Sequence, residues 1–279
     1  MAHDLIATHD KQSALNARYG ADSVPTAGPW NATIQLLLAH RSVRSYKPDK
    51  VPAKTFETLI AAAQSAATSS NMQTWSVIAV RDPGRKSRLA ALSSNQKHIE
   101  QCPLFLIWLA DISRNDRLGQ SEGVKLETLA YHEAFLVAAV DAALAAQNAV
   151  IAAESLGLST VYIGSLRNRP IEVAAELNLP KGAMGMFGLC VGYASDSITT
   201  EVKPRLPQDA IAFSEQYSIG NEPEMRSRYD AKLAAFSKRN EMNAYTWTER
   251  VITRMAKTSS LGGRDQLVAA LQAVGFPLR

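Results

Sequence analysis

From Trp30 onward the chain alternates between apolar residues at helical spacing and short, uninterrupted apolar runs. Asn31 is placed to cap a helix that runs through Leu36, Leu37 and Leu38 to about His40. Residues 54–66 predict a second helix, with Phe56, Leu59, Ile60 and Ala63 on one face. After the polar break SSNMQ, residues 75–80 read as a strand closed by the turn signal Asp82-Pro83-Gly84. A helix over 86–92 and a strand over 104–110 follow, the strand continuous in its hydrophobicity rather than alternating. The longest helical pattern covers 127–156 and stops at Gly157. A short strand over 161–163 ends in glycine, a helix spans 171–177, and residues 184–193 read as a further central strand. The tail from about Glu222 returns to helix, with Met225, Tyr229, Leu233 and Phe236 on one face. Helices that bunch around a few strands, rather than alternating with them, indicate an α+β fold. Residues 1–29 lack a long period and read as an N-terminal extension holding one short helix. Residues 30–217 form the core, and 218–279 a C-terminal helical region of the same domain.

Composition narrows the chemistry. With 46% hydrophobic and 20% charged residues among 279, the chain is globular rather than disordered. Its two cysteines, Cys102 and Cys190, exclude a disulfide-stapled scaffold and suit a reducing cytoplasm. Asp141, Gln147 and Asn148 interrupt the longest apolar stretch, so no membrane span is expected, and the N-terminus has no signal-peptide core. The net charge of +4 suits an anionic ligand as well as nucleic acid. In the tail, however, acidic residues interleave with the cations, so the clustered basic face of a nucleic-acid binder is missing.

Standard catalytic signatures are absent. His132-Glu133 begins an HExxH pattern, but Leu136 stands where the second histidine belongs. There is no CxxC, no GxSxG elbow, no phosphate-binding GxxxxGK[ST] loop, and the glycines at 182, 185, 188 and 192 do not spell GxGxxG. No metal site is expected, and a cofactor is expected to carry the chemistry.

Four polar clusters remain. His40-Arg41-Ser42-Val43-Arg44-Ser45 puts two guanidiniums and two hydroxyls together, enough to hold a phosphate. Ser69-Ser70-Asn71-Met72-Gln73 offers hydroxyls and amides to a planar edge that presents donors and acceptors. Val161-Tyr162-Ile163-Gly164-Ser165-Leu166-Arg167 ends a strand at a glycine, where a backbone N–H can approach a ligand closely. Lys203-Pro204-Arg205-Leu206-Pro207 projects two cations from a stiffened backbone. Taken singly, each is also an ordinary solvated helix end, polar loop or tight turn. Together they ask for a phosphate and a polar heteroaromatic ring, a combination that FMN presents.

In this order, HRSVRSY, S-x-N-x-Q-x-W, NQKH, AAQNAVIAAESLGLSTVYIGSLRN, FGLCVGY and KPRLP resemble the nitroreductase superfamily, in particular its oxygen-insensitive nitroreductases and NAD(P)H–flavin oxidoreductases. The resemblance implies a central mixed β-sheet flanked by helices, a homodimer with an extended C-terminal helical region, and FMN at the subunit interface. It assigns His40, Arg41, Ser42 and Arg44 to the FMN phosphate and ribityl chain, and Ser69, Asn71, Gln73 and Gln96 to the ring edge. Tyr162, Ile163, Gly164 and Ser165 would pass the ring near N5, with Lys203 and Arg205 as a later basic pair. Arg44 would also border the space where donor and acceptor stack. The implied reaction is ping-pong: NADH or NADPH reduces FMN by hydride transfer, and a nitroaromatic, a quinone or a related small aromatic acceptor then takes two electrons. The alternative within the fold is a flavin reductase that supplies reduced FMN to a partner oxygenase. Lys238 and Arg239 are the candidate contacts for the nicotinamide donor. Asn243 and Ala244 stand where NADPH-selective relatives carry a second arginine, and Glu241 opposes a phosphate, which keeps NADH beside NADPH as donor.

Overall fold

The computed structural model describes residues 11–242 and 246–279. Asn243 and Ala244 therefore lie outside the described residues. The chain divides into two compact units, one comprising Met1–Arg41 with Thr199–Ser260 and the other Ser42–Ile198 with Leu261–Arg279. Two of the three division points fall inside the stretch 30–217, and the third, between Ser260 and Leu261, falls in the C-terminal region.

The first unit is helical. Its helices are α1 (Lys11–Tyr19), α2 (Ala32–Ala39), α9 (Glu222–Arg239) and α10 (Trp247–Met255). Asn31 caps α2 as its sequence position predicts, its side chain accepting from the Ile34 N–H at 3.0 Å. Helix α9 buries Met225, Tyr229, Leu233 and Phe236, the face that the spacing predicts. Tyr229, Leu233 and Phe236 cluster with Leu206, Met242 and Trp247. Helix α10 begins with a capping box in which Thr246 and Glu249 satisfy each other's backbone N–H groups.

The second unit is built on a four-stranded sheet of β1 (Trp75–Val80), β2 (Leu104–Asp111), β3 (Ser159–Ile163) and β4 (Ala183–Gly192), in the order β1-β2-β4-β3. Its helices are α3 (Thr55–Gln64), α4 (Pro83–Leu92), α5 (Lys97–Gln101), α6 (Ser113–Ser121), α7 (His132–Ser155), α8 (Pro170–Glu176) and α11 (Leu267–Ala273). On one face Leu104, Leu106, Trp108, Leu189 and Val191 meet Leu59 and Ala63 of α3 and the alanines 145, 146, 149 and 153 of α7. On the other, Phe105, Ile107, Leu109 and Cys190 meet Leu89, Ile99, Leu166 and Val173. Strand β2 is buried on both faces, which is why its sequence reads as a continuous apolar run. Gly188 on β4 is required by this packing, because a Cβ there would lie 2.4 Å from the Phe105 ring.

The structure corrects several expectations. The three ladders are all antiparallel, so the described sheet is not mixed. The one parallel pairing is an isolated bridge between Ser42 and Thr160. Asp82-Pro83-Gly84 is a helix start rather than a strand-closing turn: the Asp82 side chain accepts from the Arg85 N–H at 2.7 Å, and Pro83 occupies the first turn of α4. The helix expected over 127–156 is interrupted at Tyr131, which is extended between a 3₁₀ turn (Glu127–Ala130) and α7. By length and composition α7 does suit a bilayer. Here its alanine face forms a core layer against the sheet, and Asp141 is buried along it.

Candidate functional site

In the second unit, the segment Thr68–Thr74 connects the chain after α3 to β1. Ser70, Asn71 and Gln73 all have positive φ, between 47° and 56°. Three non-glycine residues in the left-handed region, at a cost of order 1 kcal/mol each, require a strong anchor. Asp141 provides it. Its Oδ2 accepts from Thr68 Oγ1 (2.6 Å), Thr74 N (3.1 Å) and Thr74 Oγ1 (3.0 Å), and its Oδ1 from Ser69 N (3.1 Å). From the other side Arg114 donates to Gln73 O at 3.1 Å and Asn115 to Met72 O at 3.3 Å. With the backbone held in this way, the side chains of Ser69, Asn71 and Gln73 are exposed.

A second group forms where β3 ends. Gln96 precedes α5 and donates through Nε2 to Ser165 Oγ at 2.7 Å, and Ser165 Oγ donates to Ser93 O at 3.0 Å. Val43 N donates to Thr160 O at 3.0 Å, which lays the Ser42–Arg44 segment beside β3. Ile163 is buried and Gly164 opens a 3₁₀ turn. The Tyr162 ring packs edge-on to Phe187 at 5.2 Å, and its hydroxyl donates to Gln147 Oε1 of α7 at 3.4 Å. Burial, reinforced by Glu154, raises the Tyr162 pKa and keeps the phenol protonated. Among the described residues, the buried Ser93 Oγ and His98 Nε2 have no hydrogen-bond partner. Burial, and secondarily the Arg44 charge, hold His98 below its ordinary pKa. Thus Ser42 lies beside β3 and Gln96 meets Ser165 just after its end, and burial pushes the Cys190 thiol on β4 up and away from the reactive thiolate.

In the first unit, His40 leaves the C-terminal end of α2 and Arg41 follows it, donating through Nε to Thr200 Oγ1 at 2.8 Å. Tyr229 Oη donates to Pro204 O at 2.9 Å, and Lys203 Nζ lies 5.6 Å from the centre of the Phe236 ring. Lys238 and Arg239 occupy the last turn of α9, where cations suit the helix dipole. Arg239 is paired with Glu201 at 3.1 Å, and Asn240 donates to the same carboxylate at 3.2 Å.

The nitroreductase family profile matches residues 37–193, and the C-terminal domain of that family matches residues 203–279. The chain belongs to the nitroreductase family. It is 36% identical over 230 residues to the FMN reductase (NADPH) of Bacillus subtilis, covering 81% of this chain and 92% of that protein. It is 35% identical over 227 residues to the oxygen-insensitive NADPH nitroreductase of Salmonella typhimurium, covering 81% and 91%. The NADPH:FMN oxidoreductase of Vibrio harveyi, solved in complex with NAD+, superposes with a TM-score of 0.79 at 32% identity, over 89% of this chain and all of that one.

The basic residues of this nitroreductase-family chain suit an anionic ligand. Among the described residues no carboxylate lies within ion-pair distance of Arg41, Arg44 or Arg205. A cation left without an internal counter-charge is disposed to take an external anion. No group of three or more histidine, cysteine or acidic side chains suited to a metal ion occurs among the described residues. Reading the sequence overlooked Asp141 as more than an interruption of an apolar helix. The available signal was a lone carboxylate inside an alanine-rich stretch, which inside a protein must find several donors.

Proposed function

We propose that this chain binds FMN and uses NADH or NADPH to reduce nitroaromatics, quinones or related small aromatic acceptors in a two-step, ping-pong cycle. As a member of the nitroreductase family it is an NAD(P)H-dependent oxidoreductase of the flavin- and nitro-reducing type. Family membership carries the cofactor assignment, and Arg41, Arg44 and Arg205, which have no carboxylate partner among the described residues, are the cations offered for its phosphate. Bound FMN supplies the hydride-accepting and hydride-donating chemistry. His40, Arg41, Ser42, Lys203 and Arg205 hold the phosphate and ribityl oxygens with charge-assisted hydrogen bonds. Ser69, Asn71, Gln73 and Gln96 present donors and acceptors to the ring edge, and the backbone around Gly164 and Ser165 orients its reactive side. Arg44 positions the stacked donor or acceptor. Lys238 and Arg239 serve the donor, with the Glu201 pairing tempering any preference for the phosphorylated nicotinamide.

A visible spectrum of the purified, desalted protein, followed by titration with NADH and NADPH under nitrogen, tests this reading. Flavin bands that bleach with a reduced nicotinamide are expected. A colourless protein that also fails to bind added FMN would overturn it. Turnover of free FMN in the absence of nitroaromatics would instead favour supply of reduced flavin to a partner oxygenase.

The homodimer is supported by α7. Leu136, Val140 and Leu144 recur at every fourth position and are 53%, 48% and 44% exposed, forming an apolar stripe that a second copy would cover. Val140→Glu is expected to shift the protein from dimer to monomer in sedimentation equilibrium. A monomeric unsubstituted protein, or a variant that remains dimeric, would count against this interface.

A further inference from the structure

Helix α1 lies in the stretch that the sequence sets apart as an extension, yet it carries a buried arginine. Arg18 is 7% exposed. Its Nη1 donates to Lys203 O at 2.9 Å, and its Nη2 donates to Leu38 O at 2.6 Å and His40 O at 2.9 Å. In the reverse direction, the Arg205 N–H donates to Arg18 O at 2.9 Å. The planar guanidinium fork can reach several fixed acceptors at once. Two of these acceptors are carbonyls at the C-terminal end of α2, which a helix leaves unsatisfied and where a positive charge suits the dipole.

The result is a clamp between two short segments that the sequence separates widely. With Arg18 on Lys203 O, Tyr229 on Pro204 O and Arg205 N on Arg18 O, the backbone of three consecutive residues is fixed. The other arm of the clamp fixes the residues that lead into Arg41. We infer that Arg18 is a positioning residue: it sets the spacing between His40–Arg41 and Lys203–Arg205 so that their cations meet one phosphate together. Helix α1 is thereby part of the phosphate site and not a dispensable extension. The inference rests on the proposed reading of these cations as phosphate ligands. Helix α1 is held by other contacts as well: Leu15 is buried, and Lys232 Nζ donates to Tyr19 O at 3.0 Å and pairs with Asp22 at 2.8 Å. Loss of the Arg18 side chain therefore disturbs the clamp more than the docking of the helix.

The test compares FMN with riboflavin, which has the same ring and lacks the phosphate, in equilibrium titrations of the unsubstituted chain, Arg18→Met and Arg18→Lys. The methionine variant retains most of the packing volume and removes the fork; the lysine variant restores charge at a single point. Arg18→Met is expected to weaken FMN binding about tenfold or more and to change riboflavin binding less than about twofold. Arg18→Lys is expected to fall between, and it carries the test alone if Arg18→Met fails to fold. Unchanged FMN affinity, or equal loss for both flavins, would overturn the inference, the second by showing a general structural role. Equal affinity of the unsubstituted protein for FMN and riboflavin would overturn the phosphate assignment itself, and the inference with it.

Discussion

Replacing Asp141 by alanine is expected to lower the unfolding free energy by about 3–5 kcal/mol, a loss confined to few kinds of single substitution. The carboxylate is buried and accepts four hydrogen bonds, from Thr68 Oγ1, Ser69 N, Thr74 N and Thr74 Oγ1. Hydrogen bonds to a charged partner contribute about 1.5–3 kcal/mol each. The sum is not reached, because a released loop can open and hydrate some of its donors. The left-handed conformations of Ser70, Asn71 and Gln73 add to the cost of keeping the loop closed once its anchor is gone. Asp141→Asn conserves the shape but turns an amide NH₂ toward at least one donor, so a smaller loss, about half as large, is expected. Urea denaturation of the three proteins measures both effects. A midpoint for Asp141→Ala equal to that of the parent would show that the loop is held by its own turn geometry and by Arg114 and Asn115 alone.

Arg41→Ala and Lys203→Ala are each expected to weaken FMN binding by about 1.5–3 kcal/mol, roughly 10- to 150-fold, if each cation makes one charged hydrogen bond to the phosphate. Arg41 is exposed, so its contribution belongs at the lower end of that range and is expected to shrink further as salt is raised. Lys203 is half-buried beside Phe236, which limits the water competing for its ammonium group. Quenching of flavin fluorescence on titration reads both constants, at low and at moderate ionic strength. Unchanged FMN affinity in both variants would refute the placement of the phosphate on these residues.

How much of this was legible in the sequence depends on whether the information is local. The buried face of α9 follows directly from spacing, because the helix meets its core along one continuous line of side chains. Strand β2 was recognisable for the opposite reason, since burial on both faces removes the polar alternation. Helix α6 has no such signature. Its sequence SRNDRLGQS is polar, and its start is set by Asp111 Oδ1, which accepts from Ser113 N and Oγ at 3.0 and 2.6 Å. The break at Tyr131 was hidden because the flanking residues on both sides are good helix formers.

The candidate site divides in the same way. Its clusters stand out because each is a short run of polar residues, and the resemblance supplied a role for each. What holds the clusters in place is non-local. Asp141 acts on a loop that precedes it by a long stretch of chain, and Arg18 acts on segments on either side of the sheet-bearing sequence. Neither has a motif, and each is conspicuous only as a charge with too few neighbours in sequence to satisfy it.

The strand order β1-β2-β4-β3 also constrains how the chain can assemble. The central ladder pairs Leu104 with Val191 and Asp111 with Ala183, so no hairpin turn joins its two strands. That ladder closes a loop holding α6, α7, β3 and α8, so a large loop-closure entropy opposes the pairing of β2 with β4. Folding of this unit is thereby tied to a long-range pairing. The alanine face of α7, whose helical hydrogen bonds are all local, is the surface against which both strands of that ladder pack.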